Sequence, residues 1–221
     1  MTLSFVLYAG AVAILGGAVA MLSRRHRKRG AIVAASGILA VAAALLWPAS
    51  ERRIVTKSSR LDDIMPVWQF DESHTIHVNA PPDRVFDAIR NVTADDIALF
   101  LTLTAIRRFG RRGGDSILNA PKREPILAVA TRTGFRYLVD DPPRELVVGT
   151  KISRTTFAVM NFAVASDGHG GSIVSTETRV HATTTRGRRL FAGYWRIIHP
   201  GSDIIRRMWL RAIKKRAEHN L

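Results

Sequence analysis

HTIHVNAPPDRVFDAI, residues 74–89, changes its hydrophobic period halfway along. His74, Ile76 and Val78 alternate with Thr75, His77 and Asn79, the two-residue repeat of a strand, which extends over residues 68–79. Ala80-Pro81-Pro82-Asp83 then stops it. A helix accepts proline in its first turn, where the N–H groups have no intrahelical acceptor. The sequence therefore predicts a helix over residues 82–90 that turns Val85, Phe86 and Ile89 inward.

Downstream, residues 93–109 read as a second helix: Thr93 can cap it, Asp95 and Asp96 suit its positive end, Arg107 and Arg108 its negative end, and Gly110, Gly113 and Gly114 close it. Strand candidates follow at 126–131, 135–139, 145–152, 156–166 and 172–183, punctuated by Gly134, Asp140-Asp141-Pro142-Pro143 and Asp167-Gly168-His169-Gly170-Gly171. Strands joined by turns this short pair antiparallel. Residues 186–218 return to a helical pattern, interrupted at Pro200-Gly201 and restarted by Ser202. Ile204, Ile205, Met208, Trp209, Ala212 and Ile213 form its apolar stripe. The fold class is α+β, with a curved antiparallel sheet wrapped around a long C-terminal helix.

The 221 residues suffice for one such domain and an appendage. An apolar share of 47% with 23% charged residues excludes a collagen or a wholly disordered chain. The lack of cysteine excludes disulfides, thiolate metal sites and cysteine nucleophiles. The net charge of +15 is unevenly spread. Residues 1–50 hold no acid and five bases, all between Arg24 and Arg29, which leaves residues 51–221 with 28 bases and 18 acids, a net +10.

That first part is the appendage. Residues 2–22 run 21 positions without a charge, enough at about 1.5 Å per residue to cross a hydrocarbon core of roughly 30 Å. Residues 31–47 give 17 more, closed by Trp47 and Pro48. A signal peptide wants bases before its apolar core, and a soluble helix wants a polar face; neither is present. Residues 1–50 thus read as a two-helix transmembrane hairpin. Ala9, Ala13 and Gly17, with Ser36, Ala40 and Ala44, supply small-residue stripes for packing within the hairpin or between copies. The connector SRRHRKRG, residues 23–30, belongs in the cytoplasm by the positive-inside rule, which places the main domain outside. The four bases among residues 51–60 narrow that contrast. Residues 51–67 read as a linker, and 68–221 as the main domain.

The head phrase HTIHVNAPPDRVFDAI, with the layout over residues 68–219, resembles the START-like or SRPBCC superfamily of helix-grip proteins, including its polyketide cyclase-like and lipid-transfer-like members. The tail over residues 176–218 looks like that of uncharacterised bacterial members. The resemblance implies a cavity between sheet and long helix that takes a hydrophobic or amphipathic molecule, a lipid among them; it does not imply a reaction. The iron of the Rieske oxygenase branch has no ligand set here, and no cofactor or metal is expected.

Aromatics with a few polar tips suit such a cavity, so its candidate lining is Phe157, Asn161, Phe162, Tyr194, Trp195 and Trp209, with Thr176 and Thr178 from one strand face. Thr176 and Thr178 alternate with Glu177, Arg179 and His181; either set can face the cavity, and Glu177 with Arg179 reads as a solvated ladder on the outer face, with an orienting pair inside the pocket as the alternative. His74 and His77 point to opposite faces; His77 and His181 meet only if their strands pair. The basic excess raises a nucleic-acid reading, but no nucleic-acid motif accompanies it. Arg107, Arg108, Arg111 and Arg112 with the basic tail fit anionic lipid better. The leading expectation is a membrane-anchored, ligand-binding START-like protein of the bacterial cytoplasmic membrane. A cyclase-like or dehydratase-like enzyme with an ionisable group such as Glu177 or a histidine in the cavity, and a structural protein with a filled core, are the alternatives.

Overall fold

The computed structural model describes residues 2–108, 114 and 116–219. In chain order its elements are α1 (Thr2–Met21), α2 (Arg27–Leu46), β1 (Arg52–Arg53), α3 (Arg60–Ile64), β2 (Val67–Trp68), β3 (Phe70–Val78), α4 (Pro82–Asn91), α5 (Phe100–Arg107), a 3-10 turn (Ile117–Asn119), α6 (Ile126–Thr133), β4 (Phe135–Asp141), β5 (Glu145–Ser153), β6 (Thr156–Ser166), β7 (Ser172–Ala182) and α7 (Thr185–His219). They form two compact units: the chain up to Ala49 with Thr185–Pro200, and Ser50–Thr184 with the residues from Gly201 on.

In the first unit α1 and α2 are both long and apolar enough to cross a membrane. They approach backbone to backbone: a Cβ on Gly17 would stand 2.6 Å from the Gly30 carbonyl oxygen, and one on Gly37 2.6 Å from that of Gly10. Such proximity is open only to glycine. The seam repeats every seven residues, from Gly10 to Gly17 and from Gly30 to Gly37, with Leu7, Ala34 and Ala44 buried along it. The stripes at four-residue spacing miss it in part, since Ala9 and Ser36 are exposed. A spacing of four drifts off a seam whose mean step is three and a half.

The second unit is built on a five-stranded antiparallel sheet in the order β3-β7-β6-β5-β4. Alternation sends Val78, Leu146, Val148, Met160, Phe162 and Val174 to one face, where they pack with Trp209, Leu210 and Ile213 of α7 and with Val85, Phe86 and Ile89 of α4. This inner face holds the main core. The expected α+β layout, an antiparallel sheet gripping the C-terminal helix, is the one observed.

Three local expectations change. Residues 126–131 are helical, because Ile126, Leu127, Val129 and Ala130 bury at helical spacing between Pro125 and the positive-φ Gly134. An apolar run this short fits either period. The helix expected over 93–109 is formed only as Phe100–Arg107: Asp96 Oδ2 accepts from the Thr93 N–H at 2.9 Å, and Leu99 adopts φ 62°. Its expected stop at Gly110 and Gly113 lies outside the described residues. Pro200 does not interrupt α7; the helix runs through it.

The stretch 51–67 is folded against the sheet's outer face. Leu61, Met65 and Trp68 pack on Val147 and Val159 there. Glu145 accepts hydrogen bonds from the backbone N–H of Arg60 at 2.7 Å and Leu61 at 3.4 Å. Polar anchors of this kind are invisible to a reading that counts Ser58, Ser59 and Pro66 as breakers.

Candidate functional site

Ionisable side chains from β3 and α7 meet on the inner face. Because Ile76 and Val78 point inward, alternation along β3 sends Glu72 and His74 the same way, and the register sets them opposite Thr178 and Thr176 of β7. From α7, Asp203, Arg206 and Trp209 stand three residues apart on one stripe. The result is a polar cluster at the edge of an apolar layer.

His74 Nε2 lies 3.0 Å from Glu72 Oε1 and 3.5 Å from Asp203 Oδ1. Arg207 clasps Asp203 from the solvent side, Nε to Oδ2 at 2.9 Å and Nη2 to Oδ1 at 3.2 Å. Arg206 donates from Nη2 to Thr178 Oγ1 at 2.9 Å, and its guanidinium carbon sits 5.3 Å from the Trp209 ring centroid. Burial pushes the Arg206 guanidinium down to about 10, against the opposing pull of the Glu72 carboxylate. Among the described residues three enclosed atoms here find no hydrogen-bond partner: Glu72 Oε2, Arg206 Nη1 and Trp209 Nε1. Phe162 meets Trp209 at 5.2 Å between ring centroids, next to the cluster.

One ligand atom each from Glu72, His74 and Asp203 would fit around a cation, since all lie within 4.8 Å of one another. The charges argue otherwise. Arg207 already occupies both oxygens of Asp203, and Arg206 interacts with Glu72, so two guanidiniums balance the two carboxylates. A divalent ion would add charge to a balanced set.

The expected lining residues divide three ways. Phe162, Thr176, Thr178 and Trp209 do converge on the inner face; Phe162 and Trp209 are buried in the core, and the Thr176 hydroxyl donates to the Asn161 carbonyl at 2.7 Å. Phe157 and Asn161 point the other way, since they alternate with Met160 and Phe162 along β6. Asn161 is tied to Glu145 Oε1 at 2.7 Å, while Phe157 borders an outer groove of about 800 Å³ shared with Met65, Val67, Leu138 and Val159. Tyr194 and Trp195 belong to the first unit, where Phe191 contacts both rings.

Glu177 and Arg179 occupy the outer face, so Glu177 is not the ionisable group of an inner cavity, and the pair is covered rather than solvated. The Arg179 guanidinium is buried between Glu177, Asp62 and the Trp68 ring. His77 and His181 do not meet: His77 Nε2 contacts Asp167 Oδ2 at 2.6 Å, and His181 Nδ1 lies 3.1 Å from Gln69 Nε2. Of the basic group proposed to face lipid, Arg111 and Arg112 lie outside the described residues. Glu72, Asp203 and Arg206 were not among the expected site residues. Their signal is the phase of Glu72 with Ile76 and Val78, and the threefold step of Asp203 and Arg206 toward Trp209.

No family model matches the chain. No curated protein matches it either. Among solved structures it is similar to CalU16 from Micromonospora echinospora, with 15% identity, 67% of this chain and 83% of that one covered and a TM-score of 0.28. It is similar to DR_A0006 from Deinococcus radiodurans, with 13% identity, coverage of 69% and 100% and a TM-score of 0.36. A conserved protein from Geobacillus kaustophilus gives 13% identity, coverage of 67% and 95% and a TM-score of 0.37.

Proposed function

We propose that this chain is a membrane-anchored START-like protein that holds a hydrophobic or amphipathic molecule, a lipid among the candidates, between its sheet and the second half of α7. One observation carries the reading: among the described residues Glu72 Oε2 and Arg206 Nη1 are enclosed without hydrogen-bond partners beside Trp209, whose ring meets Phe162. An unpaired buried polar atom costs about 1–3 kcal/mol, and an amphipathic molecule whose polar end meets both atoms offsets that cost. The apolar remainder of such a molecule would enter by displacing core side chains along α7. In this reading α1 and α2 are a two-pass anchor with the five bases of their connector in the cytoplasm and the main domain outside. The partners are the membrane and an apolar small molecule, with no nucleic acid and no cofactor.

Native mass spectrometry of the detergent-purified protein, followed by organic extraction, tests this. The expected result is a co-purifying apolar species that the double variant Glu72→Gln/Arg206→Met no longer retains. A wild-type protein that carries nothing and binds no apolar fluorescent probe overturns the reading.

The same cluster supports a second reading, cyclase-like or dehydratase-like proton transfer, because His74 sits within reach of two carboxylates. A His74→Gln variant that keeps its bound molecule but leaves it chemically different from the wild type's would favour that reading.

A further inference from the structure

We propose that the first half of α7, residues 185–200, is an interfacial segment that lies in the headgroup layer of an anionic bilayer beside the carboxy-terminal end of α2. The proposal rests on the reading of α1 and α2 as membrane spans and adds a third element in contact with lipid.

Within the first unit this segment is pinned to the end of α2. Arg196, itself buried, donates Nη1 to the Leu45 carbonyl at 2.8 Å and Nη2 to the Trp47 carbonyl, two oxygens that a helix end leaves without N–H partners. Tyr8 of α1 donates its hydroxyl to the Ile197 carbonyl at 2.6 Å. That carbonyl is near Pro200, whose missing N–H weakens the helical ladder there. Trp47 and Pro48 mark the boundary of the second span, so the bonds hold residues 185–200 at the depth where a bilayer passes from hydrocarbon to headgroups.

The face turned away from these contacts is apolar. Leu190, Tyr194 and Ile197 recur at steps of four and three and are 69%, 39% and 48% exposed. Leu46 and Trp47 at the end of α2 are exposed as well. In water Leu190 and Ile197 stand exposed, whereas at an interface the apolar bodies of the stripe enter the acyl boundary and the tyrosine tip stays wet. Charge selects the lipid: Arg186, one turn before Leu190, and Arg189 are exposed, and no acid occurs from Thr185 to Ser202. Bases held near an anionic surface are attracted to it, and acids are repelled.

The absence of cysteine permits single-cysteine spin labels at Leu190 and Ile197, with Val12 on α1 and Ser73 on β3 as references. All four positions are exposed, so the labels leave the packing intact. The full chain is reconstituted in vesicles of phosphatidylglycerol and phosphatidylcholine, and collision with oxygen is compared with collision with a water-soluble nickel chelate. Positions 190 and 197 are expected between the lipid-like value at 12 and the water-like value at 73. They should shift toward water in pure phosphatidylcholine or in an Arg186→Gln/Arg189→Gln background. Values at 190 and 197 equal to that at 73, with 12 still lipid-like, overturn the proposal and leave the anchor standing. A water-like value at 12 overturns the anchor and the proposal together. Dipolar broadening at 190 that disappears on dilution with unlabelled protein would assign the stripe to a second copy and also overturn it.

Discussion

Arg179 and Asp62 form an ion pair, Nη2 to Oδ1 at 2.7 Å, with both side chains sealed from water. The guanidinium also lies 3.9 Å from the Trp68 ring centroid and donates Nη1 to the Met65 carbonyl at 3.1 Å. One side chain of β7 thus fastens α3, β2 and the turn between them to the outer face. Removing Asp62 leaves a buried guanidinium with Glu177 as its remaining carboxylate. Asp62→Ala is expected to cost about 3 kcal/mol, the low end for a broken buried pair because Glu177 stays. Denaturant unfolding of the detergent-purified protein measures it, and hydrogen exchange should show the loss concentrated in residues 58–68.

The same carboxylate makes stability fall in acid. Burial alone would raise its pKa, but the N–H groups of Ser58 and Ser59 and the Arg179 guanidinium outweigh burial and hold it below the ordinary 3.8. A carboxyl lowered in the folded state binds its proton more readily when unfolded. Its contribution is complete above 3.8 and drains away as pH falls from there through the lower folded value. Asp167 behaves alike: the N–H groups of His169 and Gly171 and the His77 side chain hold it at about 2. Unfolding midpoints measured between about pH 5 and pH 2 should drop steeply below 4, and Asp62→Asn should flatten that drop.

Legibility from sequence followed periodicity. The strand and helix of HTIHVNAPPDRVFDAI, the antiparallel run through β7 and the two apolar spans carry their period or length in the letters themselves. Residues 126–131 do not, since ILAVAT is too short to separate a strand from two helical turns. Site residues required knowing which face of each strand is inner. Phe157 and Phe162 look equivalent as letters, yet their odd separation puts them on opposite faces. Asp62 hides for another reason, because an acid in a breaker-rich stretch carries no mark that its partner lies over a hundred positions away on β7.

The glycines of the hairpin separate helix propensity from packing. A methyl group at Gly16 would meet nothing within 4 Å, whereas one at Gly17 would stand 2.6 Å from the backbone of Gly30 and Ala34. Gly16→Ala should stabilise α1 by up to about 1 kcal/mol through propensity. Gly17→Ala should lose about 1–3 kcal/mol because backbone cannot yield as a side chain does. Amide exchange of residues 2–21 and 27–46 in micelles reads both effects, and their signs should be opposite.

Trp209 tests how far the inner face depends on its own side chains. It is buried, tilted against Phe162 and enclosed with Leu210 and Ile213. Trp209→Ala should cost about 3–5 kcal/mol through lost transfer energy and the cavity left behind. Apolar probes such as 1-anilinonaphthalene-8-sulfonate should bind the variant more than the wild type. A loss under about 1 kcal/mol would mean that the ring is not part of a packed core.

The cluster around Arg206 should behave oppositely. Groups kept for packing cost stability when removed, whereas groups kept for binding are tolerated at a cost in stability and their removal returns it. Arg206 is held down by burial, the Glu72 carboxylate pulls the other way, and among the described residues each retains an enclosed atom without a hydrogen-bond partner. Replacing both with shape-matched neutral side chains, Glu72→Gln/Arg206→Met, removes two desolvated charges at once. The double variant should unfold at equal or higher denaturant concentration, a change of about 0 to +4 kcal/mol, although the Thr178 hydroxyl loses its donor. The single variant Glu72→Gln should fall below wild type, because it leaves Arg206 buried without its countercharge. If the double variant instead loses several kcal/mol, the cluster is a structural bolt between β3 and α7, and the ligand-binding assignment of its polar atoms fails.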